Sequence, residues 1–262
     1  MRYRVAKDAE PQFTLLLIAT ILSILLWVIS GYLPILGYLV YPLQLFATFI
    51  HEGGHVLAAI LTGNSVQSLT VSYDGSGEVY SLGNGFFSGL LISSAGYLGT
   101  TAFGAALLAW MRAGFSSRIA LLASAGFVGM MTLVFGFLAP IFNFFSTVTA
   151  GSVFFTVFAG VVLTAALAAV AYFAKPKWAN FALAFLAVQC LLNAVFSLID
   201  LFFITTMTNT QTDALNMANA TGIPSLIWVL IWFGVSVFMI SLGLRFYAMS
   251  RRPKGTDSVF ED

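Results

Sequence analysis

Seven stretches of this chain are apolar over lengths close to 20 residues, and nothing constrains the possible folds more. They run at about 13–33, 37–61, 87–111, 119–141, 152–173, 178–207 and 224–249. About 20 apolar residues in a helix cross a hydrocarbon core of about 30 Å. A helix also satisfies its own backbone, which lipid cannot do. The composition agrees, with 60% hydrophobic and 8% charged residues, where a soluble domain carries about 25% charged. The expected fold is all-α: a polytopic helical bundle of six to seven spans in a lipid bilayer. A net charge of +1 gives no support to nucleic-acid binding. The single Cys190 excludes an intramolecular disulfide and a cysteine-built zinc site.

Residues 1–12 are polar, with Arg2, Arg4 and Lys7. The apolar run that follows is longer than the core of a signal peptide and lacks its small-x-small ending, so it reads as retained. One transmembrane domain is expected over 13–250, then a charged, disordered tail over 251–262. Lysine and arginine are absent from the connections 63–86, 142–150 and 208–223, which places these outside and the C-terminus inside. Seven crossings would put the basic N-terminus outside. A single crossing by 13–62 would put every basic residue inside. Both arrangements stay open. Residues 64–85 form the one long polar interlude. Polar and apolar residues alternate over 68–73 and 78–82 around Asp74-Gly75-Ser76-Gly77, which predicts a β-hairpin.

The chemistry sits in the second apolar run, in His51-Glu52-Gly53-Gly54-His55, which holds both histidines of the chain. Positions i and i+4 lie on one face of a helix. Two imidazoles so placed can bind one zinc ion, and the glutamate between them can take a proton from the attacking water. Ionisable groups in a membrane segment are expensive and mark functional sites. Zinc needs a third protein ligand. Outside the motif, Asp200 is the acid that lies within an apolar run, and Asn193, Ser197 and Asp200 form one stripe at i, i+4 and i+7. The expected ligands are therefore His51, His55 and Asp200, with Glu52 as general base and Asn193 and Ser197 supporting the aspartate. Asp213, in the loop beyond, is the alternative third ligand.

His51-Glu52-Gly53-Gly54-His55 in an apolar span, a β element after it, and the small-residue run 93–99 resemble the site-2 protease family of intramembrane zinc metallopeptidases. The stretch with Asp200, Asp213-Ala214 and Thr221-Gly222-Ile223-Pro224 before Trp228 and Trp232 is similar to a small-core, B-like branch of that family. The family carries a Gly-Pro-x-x-Asn-like element, whereas here Tyr97 follows Gly96 and Thr100 stands at the asparagine position. Leu201 after Asp200 departs from its Asp-Gly pattern. The resemblance implies a multi-pass membrane endopeptidase acting on a membrane protein or peptide, with Zn2+ as cofactor. A catalytically silent scaffold or regulator that keeps the metal site is the alternative. A transporter would need further carboxylates or histidines along a pathway, and the spans offer almost none. A protease of this kind must hold its substrate unwound, and an exposed hairpin edge could do so by main-chain hydrogen bonds.

Overall fold

A computed structural model of the chain describes residues 10–30, 34–83, 85–208 and 210–248. Residues 1–9 of the expected polar segment and the expected tail 251–262 lie outside them. The elements in order are α1 (Glu10–Ser30), α2 (Pro34–Leu61), β1 (Ser65–Val71), β2 (Gly77–Leu82), α3 (Phe86–Arg112), α4 (Ser117–Phe142), α5 (Ala150–Phe173), α6 (Pro176–Met207), α7 (Asp213–Thr221) and α8 (Ser225–Ala248). Helices α3, α4, α5, α6 and α8 are each long and apolar enough to cross a membrane. The chain is a multi-pass membrane protein built as a helical bundle with one small antiparallel hairpin. Helix α1 carries a shorter apolar stretch, Thr14–Leu26, and the run read from sequence as 37–61 is α2 with the motif in its second half.

Helix α2 lies at the centre. Its Phe46, Phe49 and Val56 are fully buried with Leu108 of α3, Leu121 and Met131 of α4 and Leu183 of α6. The motif glycine Gly54 permits the α2–α3 crossing, because a methyl group there would collide with the Ala95 carbonyl. Hydrogen bonds tie other helices inside the bundle. Gln189 Nε2 of α6 donates to Ser23 Oγ of α1 at 3.0 Å, and Thr101 Oγ1 of α3 donates to Ser236 Oγ of α8 at 3.1 Å. Each such bond contributes about 1 kcal/mol.

The hairpin forms where its alternation and turn residues predict. Gly75 takes φ +86°, its N–H donates to Ser72 O at 3.0 Å, and Asp74 Oδ1 accepts from Ser76 N at 2.9 Å. This is a three-residue loop with a left-handed glycine. The register runs from Val71↔Gly77 to Ser65↔Leu82, with an irregularity between Val66 and Ser68. Residues 68–71 of β1 are buried. The π-helical stretch Met131–Leu138 of α4 brings Gly136 against Thr156 and the Leu69 carbonyl.

The two edges of the hairpin differ. Ser72 N–H donates to Ser76 O at 2.8 Å, so 72 and 76 are a hydrogen-bonded pair and 71 and 77 are not. Main-chain groups of a non-bonded pair point out of the ladder. Those of Val71 meet Thr156 of α5, whose Oγ1 accepts from Val71 N at 2.9 Å and lies 3.2 Å from Val71 O. By the same alternation, Gly77 and Val79 on β2 present their N–H and C=O groups away from β1, on the free edge of the sheet.

Candidate metal centre

One face of α2 builds the site. Tyr41, Gln44 and Thr48 precede His51, Glu52 and His55 at helical spacing. The first three hold the hairpin turn. Tyr41 OH donates to Tyr73 O at 2.6 Å, Thr48 Oγ1 donates to Gly75 O at 2.7 Å, and Gln44 packs under Gly75. The turn is thereby fixed above the motif, and β2 crosses Glu52 so closely that a methyl on Gly77 would strike its carboxylate. Glu52 is buried, and its Oε2 makes no hydrogen bond within the described protein. An acceptor of this kind suits a general base facing a water or amine.

The imidazoles are aimed by their neighbours. His55 Nδ1–H donates to Ile92 O at 2.6 Å, which leaves Nε2 to face the cavity. The His51 and His55 rings stand nearly perpendicular, centroids 4.8 Å apart. Gly96 of α3 sits against both, and a methyl there would collide with both Nε2 atoms. Ligand atoms of His51, Glu52 and His55 lie within 4.8 Å of one another.

Asp213 closes the group. Its Oδ2 lies 3.4 Å from His55 Nε2 and 3.7 Å from His51 Nε2. Ligand atoms on a tetrahedral zinc with bonds of about 2.0–2.1 Å stand about 3.4 Å apart. Two imidazole nitrogens and one carboxylate oxygen at these separations suit a zinc ion with one position open for water. Burial works against the ionised Asp213 carboxyl, but the facing imidazoles outweigh it and hold its pKa below the usual carboxylate range.

Of the two candidate acids, Asp213 is the one that pairs with the histidines. Asp200, Asn193 and Ser197 do face the same cavity, of about 760 Å³. Ser197 Oγ donates to Asn193 Oδ1 at 3.4 Å. No ion pair joins Asp200 to either histidine among the described residues, whereas Asp213 meets both. The physical reason is α7. Thr212 caps it by accepting from Leu215 N at 3.2 Å, and Gly222 ends it at φ +72°. Ala214 and Met217 are buried with Tyr97, Leu198, Leu201 and Trp232. Burying Met217 alone contributes about 1.5–3 kcal/mol, which offsets part of the cost of ordering the segment that carries Asp213.

Sequence reasoning noted Tyr97 only as the residue standing where the family's element has proline. Its ring lies edge-on to His51, centroids 4.5 Å apart at 87°, and stacks on Trp232 at 5.3 Å and 20°. Sequence reasoning passed over the Tyr41–Gln44–Thr48 stripe, although the polar i, i+3, i+7 spacing in an apolar helix was a readable signal.

A family model described as Peptidase M50B-like matches residues 15–243. The chain belongs to that family. Comparison with curated proteins and with solved structures returned no match. The M50B-like family is the site-2 protease family, whose members are zinc-dependent, membrane-embedded peptidases. Membership covers the motif helix, the hairpin, Asp200 and Asp213 of this M50B-like chain alike.

Proposed function

We propose that this M50B-like protein is an intramembrane zinc endopeptidase that hydrolyses peptide bonds of membrane-embedded substrates. The facing of Asp213 Oδ2 to both Nε2 atoms, beside Glu52, carries the reading. His51, His55 and Asp213 are the metal ligands. Zinc, when bound, polarises the scissile carbonyl and makes water a nucleophile at neutral pH. Glu52 accepts the proton of the attacking water and passes it to the leaving amine. Polar residues such as Gln44, Thr48, Ser72 and Asn193 line the cavity and keep water at the reaction in an apolar surround. The free edge of β2, with the outward main-chain groups of Gly77 and Val79, pairs with an unwound substrate segment and lays it across Glu52.

The test is a comparison of purified wild type, His51→Ala and Glu52→Gln. Wild type is expected to hold about one zinc per chain, His51→Ala to lose it, and Glu52→Gln to keep it. Cells with Glu52→Gln should accumulate uncut membrane proteins that wild type clears. Zinc in the wild type without any such accumulation would leave the metal site and remove the peptidase.

A further inference from the structure

Hydrolysis of an amide develops negative charge on the carbonyl oxygen. A donor aimed at that oxygen is worth about 10²–10³ in rate. The acids of the cavity, Glu52, Glu78, Asp200 and Asp213, cannot donate when ionised. Two hydroxyls close to the motif are committed elsewhere, Thr48 to Gly75 O at 2.7 Å and Thr100 to Gly96 O at 2.9 Å.

Tyr97 stands differently. It follows Gly96, the residue whose backbone lies against both Nε2 atoms, so its position in α3 brings it to the site. Its side chain lines the same cavity as Glu52, Asp200 and Asp213. The hydroxyl makes no hydrogen bond within the described protein, although the residue is 9% exposed. The ring is held on both faces of its setting, edge-on to His51 and stacked on Trp232. Trp232 is itself pinned by donation from Nε1 to Ser94 Oγ at 3.0 Å. A ring held in this way, carrying an uncommitted hydroxyl into the cavity of the motif, is a preorganised arrangement.

We propose that Tyr97 is a catalytic residue of the reaction assigned above: its hydroxyl donates a hydrogen bond to the substrate carbonyl oxygen as that oxygen becomes negative. The proposal rests on the peptidase reading and adds to it the group that stabilises the transition state on the protein side. Tyr97→Phe keeps the ring, and so the stack on Trp232 and the contact with His51, and removes the donor alone.

The experiment compares zinc-loaded wild type and Tyr97→Phe with two probes, a phosphinic isostere of a Phe-Ala dipeptide and a thiol with the same side chains. The phosphinic group presents the two charged oxygens of a transition-state mimic. The thiol reaches the metal without them. Tyr97→Phe is expected to hold as much zinc as wild type, to bind the phosphinic probe about tenfold or more weakly, and to bind the thiol equally well. In a cleavage assay kcat should fall about 100-fold with KM little changed. Affinity of the variant for the phosphinic probe unchanged from wild type, or a parallel loss of both probes, would overturn the assignment, the second by showing that Tyr97 only positions His51. A wild type that binds neither probe would overturn the peptidase reading itself, and this assignment with it.

Discussion

Replacing Asp213 or Asp200 by asparagine tests the site most directly, since each change keeps size and removes one charge. Asp213 Oδ2 stands 3.4 and 3.7 Å from the two Nε2 atoms, close to the roughly 3.4 Å edge of a zinc tetrahedron. On the proposed ligand set, losing it leaves two imidazoles. Losing a group that acts only through another ligand lowers metal affinity about 10–100-fold. Loss of a ligand itself should therefore exceed 100-fold, or about 2.7 kcal/mol. Asp200 faces the cavity without pairing either histidine, so Asp200→Asn should stay within about tenfold of wild type. The assay is zinc content by mass spectrometry after equilibration in chelator-buffered zinc, with wild type and both variants side by side. Loss of zinc from Asp200→Asn and retention in Asp213→Asn would refute the assignment.

Gly96→Ala should abolish zinc binding, because its methyl collides with both Nε2 atoms, while Gly89→Ala in the same helix, with open space around it, should bind zinc as wild type does. Val79→Pro removes an outward N–H from the free edge of β2 and should impair cleavage with zinc retained; cleavage at the wild-type rate would reduce the hairpin to a connector. Val71→Pro, by contrast, should destabilise the fold, since that N–H bonds to Thr156. Thr156→Val strands the same buried N–H and should cost about 1–3 kcal/mol, read as a lower melting temperature in detergent with α-helical content kept.

What could be read locally was determined by the sequence alone. Hydrophobic runs of spanning length specify helices because lipid leaves the backbone no other partner. The i, i+4 histidines share a face because of the helical pitch. The hairpin follows from alternation and from the left-handed glycine at Gly75. In each case the cause lies within a few residues of the effect. The tertiary structure alone decided what depends on packing between distant segments. Asp200 had the better local pattern, yet Asp213 reaches the imidazoles, because Ala214 and Met217 anchor α7 on α3 and α8. In the sequence Tyr97 marks only a departure from the family's Gly-Pro element; its place beside His51 follows once Gly54 lets α3 approach α2 and Trp232 closes behind it. The free edge of β2 depends on Thr156, 85 residues from Val71, taking up the other one. A metal centre joins side chains far apart in the chain, and their meeting is set by which surfaces bury one another, a property no single stretch of residues contains.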